Sequence, residues 1–244
     1  SVMLARALGV SGFGTYSYLL ALAGIYMILQ NGGYKTLLFR NAVGRSESNI
    51  LRFGIGHVTV VTVVGGGVIL LIRPQEWQTL LVVVVCMGLV VVSEFVSSVL
   101  KGSGKFGLDA LWKVVIRTAT AAAILCLIFF YKDQILANIF LAWGFALLVA
   151  LIWPLAKGWL SWPSFRIRGD LIKSNIAFLT IDFSTILYFR SDIVLLKYLG
   201  HEVEGVGQYA AAHRVVEGVI LLATPVAQLA FRALRVRWLE KSDF

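Results

Sequence analysis

The sequence predicts an all-α protein that crosses a membrane several times, and three observations carry that prediction. Of 244 residues, 59% are apolar and 14% charged, with a mean hydropathy of +0.83; an ordinary soluble domain has about 45–50% and about 25%. A water-soluble fold of this size needs a larger polar surface than that. The apolar residues fall into runs of about 20, the length that takes a helix across the hydrocarbon at about 1.5 Å per residue. Finally, the basic residues alternate between rich and poor connections. A soluble enzyme, a disordered chain and a disulfide scaffold are excluded.

Residues 1–9, SVMLARALG, read as the tail of a helix whose start is missing; without a charged start or a small-residue cleavage site, they are not a signal peptide. The first full run is Tyr16–Leu38, and the link to the second, Leu51–Ile72, carries Lys35, Arg40, Arg45 and Arg52. The third, Trp77–Leu100, follows the short Arg73–Glu76 link. The fourth, Val114–Tyr131, is preceded by Lys101, Lys105, Lys113 and Arg117. The fifth, Ile135–Leu155, follows Lys132-Asp133-Gln134. The sixth, Asn175–Leu199, is preceded by Lys157, Arg166, Arg168 and Lys173. The seventh, Tyr209–Leu229, is reached through His201–Glu204 and followed by Arg232, Arg235, Arg237 and Lys241.

Sixteen of the 22 Lys and Arg residues thereby lie on one face, with Arg6, Arg73, Lys132 and Lys197 on the other and Arg190 and Arg214 within the membrane. The positive-inside rule makes the basic face cytoplasmic. The net charge of +9 is therefore topological. The basic segments are short, separated and mixed with Glu47, Asp109 and Asp170, unlike a nucleic-acid face.

The ends of the chain repeat each other. Leu8-Gly9-x2-Gly12-x-Gly14-x-Tyr16 matches Leu199-Gly200-x4-Gly205-x-Gly207-x-Tyr209, with a cation, Arg6 or Lys197, three residues before the first glycine of each. Both copies sit on the cation-poor side, at the end of one helix and the start of the next. This predicts parallel repeats related by an axis along the membrane normal. The expected organisation is a first lobe over 1–157, an inter-lobe loop over 158–170 and the first two helices of a second lobe over 171–244.

LARALGVSGFGTYSYLLALAG, a Gly-containing turn, LLFRNAVG, then SDIVLLKYLG, GVGQYAAAHRVVEG and Pro225 together resemble the polysaccharide transporter family (O-antigen and exopolysaccharide flippases) of the multidrug, oligosaccharidyl-lipid and polysaccharide exporter superfamily. The resemblance implies a two-lobed flippase fold with parallel six-helix repeats around a central cavity. It also implies transfer of undecaprenyl-pyrophosphate-linked oligosaccharide across the bacterial inner membrane, with membrane lipid and polysaccharide polymerase or assembly proteins as partners. Most of the first helix and the rest of the second lobe are absent, so these residues alone are not expected to transport.

Ionisable residues inside a bilayer cost several kcal/mol and are candidates for function. Arg190 is the first candidate for the pyrophosphate, because its planar fork of donors suits that anion. Asp182, eight residues earlier and about 80° around the helix, could equally be its ion-pair partner. Asp192 is either a coupling carboxylate or a group orienting the helix end. Arg214 pairs readily with Glu217 three residues on, or contacts substrate. Arg6, and Arg40 at the inner end, match family cations that would draw an anionic headgroup or anchor at the interface. Glu94, among Ser93, Ser97 and Ser98, is either a neutral packing residue or a proton site.

His57, His201 and His213 are isolated and the two cysteines, Cys86 and Cys126, lie in apolar runs, so no metal is expected. Gly65-Gly66-Gly67 and Pro225 would permit close helix approach or a bend. Gly102-Ser-Gly-Lys105 lacks the rest of a phosphate loop, and no cofactor or catalytic residue is expected. The rival readings are a multidrug or small-molecule exporter of the same superfamily, a membrane-embedded glycan-processing enzyme and a scaffold without a passage.

Overall fold

The computed structural model describes residues 2–41, 47–72, 77–130, 136–160, 163–164, 169–199, 205–213, 215–216 and 218. Among these residues the regular structure is entirely helical: α1 (Val2–Asn31), α2 (Tyr34–Asn41), α3 (Glu47–Ile72), α4 (Trp77–Gly102), α5 (Phe106–Phe130), α6 (Leu136–Ala156), α7 (Gly169–Tyr198) and α8 (205–213). Among the described residues, five stretches are long and apolar enough to cross a membrane: Leu4–Asn31, Asn49–Leu71, Trp77–Gly102, Phe106–Phe130 and Leu136–Ala156. Within α7, Asn175–Tyr188 is a shorter apolar stretch. The expected seventh span, with Pro225, lies largely outside the described residues.

By packing, the chain divides into two units, Leu19–Leu195 and Ser1–Tyr18 with Leu196–Phe244. In the larger, α4 is the hub and packs against α2, α3, α5 and α6. Its buried side, with Val91, Phe95, Val96 and Leu100, meets Leu37, Leu38, Leu51 and Val58 in one cluster and Trp112, Ala150 and Leu151 in another. Exposed apolar side chains such as Val63, Leu71, Phe129, Phe145 and Ile152 form the outer face. In lipid this needs no further cover, because the hydrocarbon replaces water as their solvent.

The helix ends follow from backbone chemistry. α1 breaks at Gly9, whose φ of 68° and ψ of 176° interrupt the helix, as the helix-turn-helix reading of the repeat requires. The run predicted over Tyr16–Leu38 is cut at Gly32-Gly33, where φ is 55° and 77°. A Cβ on Gly32 would lie 2.6 Å from His57 Nε2, and one on Gly33 2.8 Å from the Asn175 carbonyl oxygen. Gly104, with φ of 79°, closes α4 through bonds from Gly104 N to Lys101 O and from Lys105 N to Leu100 O, a glycine helix cap. The Gly102–Lys105 sequence is thus a helix terminator.

α5 starts at Phe106, eight residues before the predicted Val114. Asp109 in its first turn suits the helix dipole, and its backbone N–H is bonded to Lys105 O at 3.0 Å. α6 tolerates Pro154 near its end and closes at Gly158, where Trp159 N donates to Pro154 O. Trp159 then folds back edge-on to Trp153, ring centroids 5.1 Å apart. Further on, Ser164 N donates to Arg52 O at 2.9 Å, an approach that Gly56 permits because a Cβ there would sit 2.2 Å from Ser164 O.

Polar groups inside the bundle are mostly paired. Gln30, fully buried, donates through Nε2 to Thr62 Oγ1 and to Val84 O, each at 2.9 Å. The Tyr26 hydroxyl donates to Val61 O and occupies the space that a Cβ on Gly65 would need. The middle-span glycines therefore serve packing at Gly65, while nothing lies within 4 Å of a Cβ on Gly67.

Candidate functional site

The break between α1 and α2 gathers polar groups. Asn31, the last residue of α1, accepts a bond through Oδ1 from Lys35 N at 3.1 Å, and so caps the first turn of α2. Its Nδ2 donates to Asp182 Oδ2 of α7 at 2.9 Å. One side chain thus ties the start of α2 to an acid on a helix far away in sequence.

Lys35 projects from the same turn. Its ammonium lies 3.1 Å from Glu94 Oε2 of α4, with the two side chains 47% and 32% exposed, and within electrostatic reach of Asp182. One half-open ammonium is therefore ion-paired to Glu94, with a second carboxylate, Asp182, within range of its charge. Asn175, seven residues before Asp182 and on the same side of α7, is buried beside the Tyr34 hydroxyl. Neither of its amide atoms reaches hydrogen-bond geometry.

The charges continue along α4 and α5. Lys101 and Lys113 are within electrostatic reach of Glu94, and Lys113 lies 3.8 Å from Asp109. Asp109 is buried and accepts a hydrogen bond from the Ser97 hydroxyl. Trp112, wholly buried, donates through Nε1 to Ser93 O at 3.1 Å. Lys35, Lys101 and Lys113 balance Glu94, Asp109 and Asp182. Mutual compensation is what makes such a set tolerable in a medium of low polarity. Lys35 is the half-open member of this set, its ammonium facing Glu94.

The predicted residues divide as follows. Glu94 pairs with Lys35, and Asp182 is held by Asn31 within electrostatic reach of the same ammonium. Asp192, half-buried in α7, accepts from its neighbour Ile193 N at 2.8 Å. Arg6 is exposed on the first segment of α1. The side chain of Arg190 and all of Arg214 and Glu217 lie outside the described residues. Lys35 and Asn31 were missed, because counting charges assigned Lys35 to the basic interfacial segment. The signal was the Asn31-Gly-Gly-x-Lys35 pattern, in which a helix break places polar groups at the inner end of a span. Among the described residues, no group of three or more His, Cys, Asp or Glu side chains could hold a metal.

This helical arrangement defines a class: a multi-pass membrane protein with a fold like that of a MATE transporter. It superposes on the structure of the MATE multidrug transporter DinF-BH in complex with R6G with a TM-score of 0.71 and 15% identity, covering 93% of this chain and 57% of that one. The chain thus spans 57% of that transporter's length. No curated relative matches the sequence. The sequence profile of the polysaccharide biosynthesis protein family matches residues 1–231, and the chain belongs to that family.

Proposed function

We propose that the chain forms the first lobe (1–157), the inter-lobe loop (158–170) and the start of the second lobe (171–244) of a flippase. Its substrate would be undecaprenyl-pyrophosphate-linked oligosaccharide, moved across the bacterial inner membrane for O-antigen, capsule or exopolysaccharide assembly. The observation that supports this most is membership of the polysaccharide biosynthesis family over residues 1–231 in a chain with an exporter fold. The basic connections face the cytoplasm in this reading, and the protein is a carrier without a catalytic centre.

Binding follows from charge. The pyrophosphate is met by cations, with Arg190, Arg6 and Arg214 as the guanidinium candidates and Lys35 as the ammonium that Glu94 holds in readiness. Asp192, Glu94 and Asp182 are the candidate ion-coupling acids, and rocking of the lobes supplies alternating access. The test is made in the full-length protein at matched expression, measuring surface polysaccharide and the lipid-linked precursor left in the membrane. Arg190→Gln and Lys35→Gln should lower the first and raise the second. Unchanged output from both removes the cationic site from the mechanism.

The fold shared with a multidrug transporter favours one second reading, export of an amphipathic small molecule. A strain lacking the protein would then accumulate cationic dyes while its surface polysaccharide stayed intact.

A further inference from the structure

The two copies of the Gly-x-Gly-x-Tyr repeat touch one another, and they do so at equivalent positions. In the smaller packing unit, a Cβ added to Gly207 of α8 would lie 2.6 Å from Val10 O, 3.3 Å from Gly14 N and 3.4 Å from Gly14 Cα. Aligning the repeats pairs Gly14 with Gly207, so Gly207 packs against the backbone of its own counterpart. The flanking residues agree: Phe13 and Val206 are buried, as are Ser17 and Ala210. The other glycine of the second copy behaves differently, since nothing lies within 4 Å of a Cβ on Gly205.

A glycine at 207 is therefore required by backbone-to-backbone contact, whereas Gly205 is not required by any neighbour. The second helix start can approach the first this closely only because residue 207 lacks a side chain. The repeat also fixes where this happens. Both copies precede spans that begin on the cation-poor side, so the contact lies at that end of the helices, one turn above buried Ser17 and Ala210.

We infer that the Gly14–Gly207 crossing is a seal on the cation-poor side, closed in this structure, and that the absence of a side chain at 207 sets how readily it closes. The inference rests on the alternating-access reading above, in which this contact must part for substrate to leave. A side chain at 207 pushes against the carbonyl of Val10, which is backbone and cannot rotate away, so the closed contact is disfavoured and the open one gains population.

The test uses the full-length protein with Cys86 and Cys126 replaced by alanine and Ser17→Cys as reporter. Labelling by a membrane-impermeant maleimide is followed from the cation-poor side. Gly207→Val should raise the labelling rate about tenfold, the order of shift that overpacking a tight contact produces, while Gly205→Val leaves it unchanged. Equal rates for the two valine variants overturn the seal. If Gly207→Val does not fold, Gly207→Ala against Gly205→Ala carries the same comparison, and equal rates there overturn it as well. Because labelling is read without substrate, its failure is separable from failure of the flippase reading. Faster labelling with unaltered glycan export would keep the seal and refute the carrier role.

Discussion

Replacing Lys35 with methionine removes the ammonium paired with Glu94, and the cost can be worked from the geometry. Unit charges at the observed 3.1 Å attract by about 5 kcal/mol at an effective dielectric of about 20. Exposure of 47% and 32% for the two side chains lets solvent screen that to about 1–2 kcal/mol. Lys35→Met also leaves Glu94 without its ion-pair partner and removes a cation within electrostatic reach of Asp182, which brings its cost to about 2–3 kcal/mol. Glu94→Gln leaves Lys35 within reach of Asp182, so it should cost about 1 kcal/mol. The assay is thermal unfolding of the full-length protein in nanodiscs, run as a double-mutant cycle with Lys35→Met, Glu94→Gln and the double variant. A coupling energy below about 0.3 kcal/mol, or Glu94→Gln costing more than Lys35→Met, would refute the Lys35–Glu94 pairing.

The remaining expectations concern packing. Gly65→Ala drives a methyl into the Tyr26 hydroxyl and should destabilise by about 1–3 kcal/mol; Tyr26→Phe in the same chain should recover part of the loss in a thermal scan. Trp112→Ala empties a wholly buried site and should cost about 3–5 kcal/mol, whereas Trp112→Phe keeps the ring and loses mainly the bond to Ser93 O, about 1 kcal/mol. A lipid-permeable maleimide should modify exposed Cys126 quickly and buried Cys86 only on unfolding, as mass spectrometry would record.

The apolar runs made α3, α4 and α6 legible to within a few residues, because a helix in lipid must be apolar along its whole exposed length. Where a helix continues past the hydrocarbon, that signal ends too early. The first two turns of α5 hold Asp109 and Lys113 and read as a loop, although Asp109 and Trp112 are buried against α4. The site was half legible. Glu94 and Asp182 stood out as acids inside spans, but their partner did not. Lys35 counts as one more cation in a basic connection until the fold brings α2 beside α4, and sequence order alone contains no record of that approach.

The polar cluster and the helix break between α1 and α2 have a common cause. Gly32-Gly33 ends α1 and removes the helical partner of the Leu29 carbonyl, and an unpaired backbone group near lipid costs several kcal/mol. His57 Nε2 lies 2.8 Å from Leu29 O. A carbonyl can only accept, so this nitrogen carries the proton, and the isolated histidine of α3 is a backbone repair. On the other side of the break, Asn31 supplies the acceptor for Lys35 N. Polar side chains are thus drawn to the break by its backbone needs, and Lys35, Glu94 and Asp182 assemble where that polarity is already tolerated. His57→Leu should therefore cost about 1–3 kcal/mol, the penalty of an acceptor left unsatisfied away from water, and should loosen the start of α2. The decisive readout is hydrogen exchange at Lys35 and Leu37. Protection there that matches the parent chain would mean the break holds without His57, and that the cluster has some other origin.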